Sequence, residues 1–346
     1  MEYNIRNSKI LICYPEPVIL YNNYAGKNHN QYPAYSETEL SNEINEILKA
    51  VSYNFPNTKT LSVGRNLLEE IEFIKNYAPD LVINLVESYR GLSKGEIYFA
   101  SILELLNIKY TGNKPDTLTY CLDKNVAKLL LKANNLLTPN FLQLKHNENI
   151  SDLPFDFPVI TKLNSEDASI GISEFSVCYN FKELNEQLNF LRDTYITQDF
   201  IIEEYIEGRE FNIAIFNDKI LPISEIIFDL PENLPKIVTY EAKWDEKSLY
   251  YNSTIPQQPA KISKDIENLL KQTAFNAYKV FKCNDGVRVD IRLTKDNKPY
   301  ILEINPNPDL TKNAGFIGSY MVTGKTYEDF FYELITSNLA NGNNSN

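Results

Sequence analysis

The chain has few of the residues on which many catalytic and metal sites depend. Its only two histidines are His29 and His146, which argues against a histidine-based catalytic triad or a histidine-rich metal site. Its four cysteines are widely spaced, and none forms a Cys-x-x-Cys pair. We therefore predict buried free thiols in a reducing compartment, rather than a zinc site or a disulfide framework.

Basic residues are also scarce, because 34 Lys and Arg face 46 Asp and Glu, and the net charge is −12. A surface that follows nucleic acid phosphates is normally basic, so neither nucleic acid nor an anionic membrane is an expected partner. No apolar run has the length of a signal peptide core or a membrane span, so we predict a cytoplasmic protein.

The length of 346 residues indicates two or three domains. Residues 1–122 alternate short apolar runs, at 9–14, 60–63 and 80–86, with helical patterns. This alternation predicts an α/β domain with a parallel, helix-covered sheet. The loop Gly91–Gly95 follows the last of these strands, where open α/β sheets bind ligands.

The remainder of the chain predicts α+β structure. Residues 123–198 contain a helix with Asp123 as its N-cap, a strand at 157–162 and the polar loop SEDASIGI. Residues 199–338 contain three strands in quick succession, at 200–206, 210–216 and 219–228, which predict an antiparallel sheet. A helix near 327–337 follows, and residues 339–346 are predicted to be a disordered tail.

Residues 286–305 predict a hairpin with chemistry on one face. If its strands pair about a turn centred between Asp296 and Asn297, Asp290 lies opposite Glu303 and Arg288 opposite Asn305. Side chains alternate across a strand, so these four project from one face. The other face is predicted to enter the core and carries Val287, Val289, Ile291, Leu302 and Ile304.

Two opposed carboxylates on paired strands have Cβ atoms about 5 Å apart and repel each other. They need a cation, a shared proton or a basic neighbour. Two carboxylates and an amide oxygen suit Mg²⁺, which prefers hard oxygen ligands. The alternative, at this point equally open, is a solvated polar face that Arg288 and Arg292 neutralise.

The hairpin sequence RVDIRLTKDNKPYILEINPNP resembles the metal-binding hairpin of ATP-grasp enzymes, and is most similar to the R-x-D and E-x-N pattern of the D-alanine–D-alanine ligase group. Further similar segments follow in the family's order between about residues 80 and 335. They are NLVES (84–88), YTGN (110–113), CLDKNVAKLLL (121–131), PVITK (158–162), EDASIGI (166–172), IIEEYIEGREFNIAIF (201–216) and YEAKW (240–244).

This resemblance implies an ATP-grasp fold with an N-terminal domain (1–122), a small lid subdomain (123–198) and a catalytic subdomain (199–338). It implies ATP and Mg²⁺, as two ions that Mn²⁺ can replace. The implied phosphate ligands are Lys124, Lys162 and Lys243. The implied adenine strand comprises Glu203, Glu204 and Ile206, with Glu210 at the ribose. The implied metal ligands are Asp290, Glu303 and Asn305, with Arg288 at the oxyanion and Ser169 in a mobile lid.

The implied reaction transfers the γ-phosphoryl group of ATP to a carboxylate and lets an amine displace phosphate from the acyl-phosphate. The substrates would be amino acids or small peptides, and family analogy suggests a homodimer. Three alternatives remain: an authentic D-alanine–D-alanine ligase, a phosphotransferase on the same fold, and a nucleotide-binding protein without activity.

The substrate-facing segments depart from the family pattern. The family's Gly-Gly-x-Ser-x-Glu turn has no match, and Glu16 is a candidate for its glutamate. The lid serine falls at Ala168, the tyrosine after the phosphate lysine is Trp244, and Ala314 replaces a serine. Asp309 replaces a glycine. We therefore expect altered specificity, with Asp309 and Lys312 contacting a different, charged substrate; loop solvation is the alternative for these two residues.

Overall fold

The computed structural model describes residues 5–27, 35–196 and 198–340. Its first part is a parallel sheet of three strands in the order β2-β1-β3, covered by helices, as the sequence predicts. The strands are β1 (Ile10–Pro15), β2 (Thr58–Val63) and β3 (Leu81–Asn84), and the helices are α1 (Tyr35–Asn54), α2 (Leu67–Tyr77), α3 (Gly95–Leu105) and α4 (Pro115–Leu122).

The second part is an antiparallel sheet of four strands with one helix before it and one inside it. Its elements are α5 (Lys124–Ala133), β4 (Phe141–Leu144), β5 (Val159–Leu163), β6 (Val177–Cys178), α6 (Phe181–Thr194) and β7 (Phe200–Glu204). Asp123 caps α5, as predicted, by accepting a 3.1 Å hydrogen bond from the Val126 N–H. The strand order is β4-β7-β5-β6, so this sheet extends to Glu204, beyond the expected boundary at residue 198.

The third part is a larger antiparallel sheet in the order β11-β10-β8-β12-β13, with β9 paired to β8. Its strands are β8 (Arg209–Phe216), β9 (Lys219–Ile220), β10 (Ser224–Phe228), β11 (Thr254–Gln257), β12 (Gly286–Leu293) and β13 (Pro299–Asn305). Its helices are α7 (Tyr240–Trp244), α8 (Leu249–Ser253), α9 (Lys264–Val280), α10 (Gly315–Met321) and α11 (Tyr327–Ala340).

The structure corrects two sequence predictions for the third part of the chain. The single strand predicted over 219–228 is divided into β9 and β10, and Pro222, which has no N–H for strand pairing, lies between them. Helix α11 continues to Ala340, so the first two residues of the predicted disordered tail are helical. Residues 341–346 lie outside the described residues.

The hairpin of β12 and β13 has the predicted pairing at its polar end, where Asp290 lies opposite Glu303 and Arg288 opposite Asn305. Nearer the turn, Ile291 pairs with Ile301, which requires a bulge at Leu302. The predicted apolar face is therefore wrong at one position, because the bulge places Ile301 in the core and leaves Leu302 half-buried.

Helix α9 packs against the apolar side of β8, β12 and β13. Ile213, Ile215, Val289 and Ile304 fill that interface, so alternation directs Asn212, Asp290 and Glu303 to the other side of the sheet. All four cysteines are buried and free, as predicted. None of the helices in the described ranges combines the length and apolar character needed to cross a membrane.

Candidate active site

Strand alternation and sheet register fix Asp290 at the centre of the site. Its carboxylate accepts hydrogen bonds from Arg288 Nε (2.8 Å) and Nη2 (3.0 Å), with both residues on β12. Asn212, directly opposite on β8, donates its Nδ2–H to Asp290 Oδ1 at 2.7 Å. The structure therefore brings the predicted Arg288 and Asp290 into a bidentate ion pair held by a neighbouring amide.

Lys124 connects the hairpin to the polar loop that contains residues 165–172, here called the lid loop. Its Nζ donates to the Glu166 main-chain oxygen at 2.5 Å, and lies 3.2 Å from Asp167 Oδ1 and 3.3 Å from Glu303 Oε1. Burial opposes the charge of Lys124, but the carboxylates of Glu303 and Asp167 outweigh burial and raise its pKa. This lysine therefore stays cationic at the junction of lid loop and hairpin.

Asp167 and Glu303 both pair with Lys124 and are close enough to act on each other's charge. Burial and the adjacent Glu303 raise the pKa of Asp167. Burial would also raise the pKa of Glu303, but Lys124 and Lys162 outweigh it and hold that pKa well below its usual range. Of the two carboxyl groups, Glu303 thus carries the negative charge, and Asp167 is the one that more readily takes a proton.

Lys162 and Glu203 also lie close together. Glu203 is buried on β7, with Oε2 3.0 Å from Lys162 Nζ and Oε1 3.3 Å from Lys128 Nζ. Strand β7 lies between β4 and β5, so Glu203 and Glu204 belong to an interior strand of this sheet. Burial lowers the pKa of Lys128 to about 8, against the opposing effect of Glu203.

Arg292 does not neutralise the hairpin acids, as the alternative interpretation supposed. It pairs with Glu210 and donates to the main-chain oxygens of Ile206 (3.2 Å) and Lys236 (3.0 Å). The Glu204 backbone N–H donates to the Asn140 oxygen at 2.8 Å. Arg292 thereby holds Glu210 beside the segment that follows β7. It is also the charged partner of Glu210.

The lid loop is closed against both neighbouring parts of the molecule. Trp244 Nε1 donates to the Ala168 oxygen at 3.2 Å, and Ser169 Oγ donates to the Val238 oxygen at 3.0 Å. On the other side, the Gly171 N–H donates to the Tyr24 oxygen at 2.8 Å. Ala168 and Ser169 both have positive φ, 54° and 60°, a left-handed conformation uncommon for residues other than glycine.

Glu166 provides the main side-chain link between the lid loop and the N-terminal domain. Its carboxylate accepts hydrogen bonds from Tyr21 Oη (2.9 Å), Ser93 Oγ (2.8 Å) and Gln198 Nε2 (2.6 Å). Ser93 belongs to the Gly91–Gly95 loop, which the sequence predicted to contact a ligand. In the structure this loop contacts the lid loop.

Lys243 lies beside the same charges, on the short helix α7. Burial and the neighbouring Arg288 lower its pKa, against the opposing effects of Glu303 and Asp290. The structure thus gathers five predicted residues from three separate segments into one interior region. These are Lys124, Lys243, Arg288, Asp290 and Glu303.

Two of the three remaining predicted substrate residues, Glu16 and Asp309, have local partners. Glu16 pairs with Arg65 and Ser62 at the end of the parallel sheet, and Arg65 lowers the pKa of its carboxyl. Asp309 accepts hydrogen bonds from the Thr311 N–H and Oγ1 at 2.8 and 2.9 Å. Lys312 is exposed.

The predicted metal ligands meet the chemical requirement for a hard cation, with two carboxylates and an amide. Asn305 Oδ1 accepts the Asn307 N–H at 3.0 Å, which leaves its second lone pair for a ligand. In the part of the chain that the structure describes, no three His, Cys, Asp or Glu side chains form a metal-binding cluster. The predicted metal ligands include only two acids, Asp290 and Glu303, and the third is the Asn305 amide, so they do not amount to a cluster of this kind.

Sequence reasoning missed several residues of this region. Asn212 and Lys128 had a usable signal, because Asn212 follows Glu210 by two residues on a strand and Lys128 follows Lys124 by four on a helix. Glu166 and Asp167 stand inside the loop that was recognised, but no pattern selected them. Tyr21 and Gln198 gave no signal, because they approach Glu166 from distant parts of the chain.

The chain is similar in sequence to a family of known proteins. The family model "D-ala D-ala ligase C-terminus" matches residues 130–336. An uncharacterised protein, y4sG, of Sinorhizobium fredii is 30% identical over 253 residues, which cover 71% of each chain. D-alanine–D-alanine ligase A of Bacillus cereus is 29% identical over 240 residues, which cover 68% of this chain and 74% of that protein.

A crystal structure of D-alanine–D-alanine ligase from Bacillus anthracis complexed with ATP superposes with a TM-score of 0.74 and 21% identity, over 98% of this chain and 99% of that one. This likeness confirms the predicted ATP-grasp architecture. The family match confirms the enzyme class, an ATP-dependent carbon–nitrogen ligase. Because the family model covers more than half of its residues, the chain belongs to the D-alanine–D-alanine ligase C-terminus family.

Proposed function

We propose that this protein uses ATP to join a carboxylate to an amine of amino-acid or small-peptide substrates, with a specificity different from that for D-alanine. The observation that carries this proposal is the pairing of Asp290 with Glu303 beside Lys124, Lys243 and Arg288. Two acids and three cations in one interior region can hold a metal nucleotide against a second anion, the carboxylate substrate.

ATP would bind between the lid subdomain and the catalytic subdomain. Lys124, Lys162 and Lys243 would contact its phosphates and supply the local positive charge that an acidic protein needs. The adenine would lie along the end of β7, at Glu203 and Glu204 and at the backbone of Ile206. Glu210 would accept the ribose hydroxyls. Arg292 supports this arrangement, because it ties Glu210 to the Ile206 carbonyl.

Mg²⁺, as two ions that Mn²⁺ can replace, would be held by Asp290, Glu303 and Asn305. When bound, magnesium neutralises charge on the phosphates of the nucleotide. Asp290 and Glu303 now have Arg288 and Lys124 as counter-ions. These cations would turn towards the phosphates and the reacting carboxylate when a metal takes their place on the acids.

The reaction would proceed in two displacements. A carboxylate oxygen attacks the γ-phosphorus and ADP leaves, which gives an acyl-phosphate. The amine nitrogen then attacks the acyl carbon, phosphate leaves, and the nitrogen loses a proton. Arg288 would stabilise the oxyanion that forms at the acyl carbon. The lid loop, with Ser169 bonded to the Val238 oxygen, would exclude water from the acyl-phosphate.

Three observations support an altered substrate pocket. The lid position of the family serine is Ala168, and Trp244 contacts its main-chain oxygen. Glu16, the candidate for the family's pocket glutamate, is already paired with Arg65 and Ser62. Asp309 is a carboxylate where the family pattern has glycine. Burial raises its pKa, against the opposing effects of Thr311, Arg288 and Lys243. Asp309 and Lys312 are therefore proposed to contact a charged part of the substrate.

The named ligase relatives favour one alternative, synthesis of D-alanyl-D-alanine itself. A screen of phosphate release with ATP, Mg²⁺ and amino acids or dipeptides in pairs separates the two. We expect phosphate release that requires both an acid and an amine and exceeds the rate with D-alanine alone. Efficient D-alanyl-D-alanine synthesis would contradict the altered specificity, and phosphate release without an amine would indicate a phosphotransferase. The homodimer and the cytoplasmic location remain proposals.

A further inference from the structure

Glu96 is a buried acid that none of the roles above uses. It lies in the first turn of α3, directly after the Gly91–Gly95 loop, and only 6% of the residue is exposed. Its Oε1 atom has no hydrogen-bond partner among the described residues. A buried carboxylate oxygen without a partner is costly, so such an atom calls for a proton or for a ligand.

The surroundings of Glu96 are negative. The acids of the lid loop and of the segment after β3, Asp167 and Glu87, are both close enough to act on its charge. Burial first, and then these two carboxylates, raise the pKa of Glu96 well above its usual value, against the opposing effect of the Asn307 amide. Lys124, the cation that pairs with Asp167, is already shared between Asp167 and Glu303. This side of the site therefore favours a positively charged ligand.

The charges around Glu96 distinguish between the possible ligands. Phosphate and carboxylate groups are anions and would be repelled by Glu96, Glu87 and Asp167. A divalent metal ion needs several oxygen ligands at once, whereas Asp167 is already paired with Lys124 and Glu96 Oε1 is the atom left without a partner among the described residues. A protonated amino group is small, has one positive charge and three donors, and needs only one carboxylate with polar neighbours.

We propose that Glu96 binds the protonated amino group of an amino-acid substrate, beside the lid loop, and thereby selects amino acids over acids without an amino group. The proposal rests on the proposed function. The amino group belongs either to the acid that is phosphorylated or to the amine substrate before it loses its proton. The Asn307 amide favours the charged form of the Glu96 carboxyl, against the effect of burial. The closed lid loop, which includes Asp167, would exclude water from the subsite.

The test compares wild type with Glu96→Gln, which keeps the shape of the side chain and removes its charge. A hydrogen bond to a charged group contributes about 1.5–3 kcal/mol, so KM for one of the two substrates should rise roughly 10- to 100-fold while KM for ATP changes less than about twofold. Replacing each substrate in turn by its analogue without an amino group shows which amino group is bound. For that substrate, the preference for the amino form should fall by the same factor in Glu96→Gln.

Glu70→Gln is a matched control. Glu70 is also a buried glutamate of the N-terminal domain, but its Oε1 accepts N–H groups of Gly64 (2.9 Å), Arg65 (2.8 Å) and Asn66 (2.9 Å). This variant should lower the melting temperature and leave substrate preference unchanged. If Glu96→Gln behaves in the same way, Glu96 is structural and the proposal is overturned. If Glu96→Gln does not fold, Glu96→Asp, which shortens the reach to the ligand, must show the rise in KM.

A binding experiment keeps this inference distinguishable from the proposed ligase activity. Wild type and Glu96→Gln are loaded with Mg²⁺ and a non-hydrolysable ATP analogue and titrated with glycine, L-alanine, D-alanine and propionate. We expect wild type to bind an amino acid more tightly than propionate, and Glu96→Gln to lose that difference. Equal binding of amino acids and propionate by wild type would overturn the subsite. Selective binding without phosphate release in the paired screen would refute the ligase proposal alone.

Discussion

The indole Nε1 of Trp244 donates a hydrogen bond to the main-chain oxygen of Ala168, with a nitrogen–oxygen distance of 3.2 Å. Trp244 is the only tryptophan of the chain, and it adjoins Lys243, one of the proposed phosphate ligands. A single chromophore therefore contacts the lid loop at the residue where the family pattern has a serine. The environment of this indole reports directly on the position of the lid loop.

Titration with ATP and Mg²⁺ should therefore change the fluorescence of Trp244. Nucleotide phosphates that engage Lys243 and the lid loop alter the hydrogen bond and the solvent exposure of the indole. We expect a saturable change in emission intensity or wavelength, with the same midpoint as calorimetric ATP binding. Trp244→Phe should lose the signal and, by losing one hydrogen bond of about 1 kcal/mol, lower kcat/KM roughly fivefold. An emission spectrum that stays constant while calorimetry detects ATP would contradict this assignment.

Asp167 should compete with the nucleotide for Lys124. Its carboxylate lies 3.2 Å from Lys124 Nζ, so the contact has to open before a phosphate can take its place. Asp167→Asn removes the negative charge, and we expect it to tighten ATP binding severalfold when Mg²⁺ is absent. The measurement is a fluorescence or calorimetric titration. Asp199→Asn is the control, because Asp199 pairs with Lys145 on an exposed surface. Weaker ATP binding by Asp167→Asn would indicate that Asp167 assists the nucleotide.

The sequence was sufficient to predict the face that carries the site. Alternation along two strands placed Arg288, Asp290, Glu303 and Asn305 together, and the structure has this pairing. The prediction held although the assumed turn was displaced, because the bulge at Leu302 restores the register before the acids are reached. The alternation of side chains within a hairpin depends only on the local sequence. One bulge therefore leaves the pairing of polar residues that lie beyond the bulge correct.

Contacts between distant segments could not be predicted in the same way. Glu166 meets Tyr21 and Ser93 only because the lid loop folds onto the N-terminal domain. The packing of the sheets likewise decides which carboxylate pairs with Lys124 and which with Arg292. No spacing in the sequence predicts these pairs. For the same reason the family resemblance implied a ribose role for Glu210 but could not reveal that Arg292 is its partner.

Asp290→Asn and Glu303→Gln should each abolish turnover while leaving the fold intact. Each substitution keeps the size of the side chain and removes one negative charge from the proposed metal ligands. We expect phosphate release to fall by at least ~100-fold, as typical for loss of a group that positions metal and phosphates. Circular dichroism and the melting temperature check the fold. Activity that survives in both variants would show that the metal assignment is wrong.

Asp285, which lies outside the proposed active site, should make the stability of the fold depend on pH. It is buried, and its Oδ2 accepts hydrogen bonds from the Gly112 N–H (2.8 Å) and Asn338 Nδ2 (3.1 Å), while Oδ1 has no partner among the described residues. Burial raises its pKa from 3.8 to about 6, against the effect of these hydrogen bonds. Between these two pH values the folded protein holds a proton that the unfolded chain releases, so this group makes the fold less stable as pH rises.

Asp285→Asn removes this titration and keeps an oxygen for the Gly112 N–H. The free energy of unfolding of wild type, minus that of Asp285→Asn, should therefore fall as pH rises from 4 to 6.5. A pKa difference of about 2 units sets an upper limit of roughly 3 kcal/mol on this change. Urea unfolding of both proteins at several pH values measures it. A difference that stays constant, or grows with pH, would mean that Asp285 is ionised in the folded protein throughout this range.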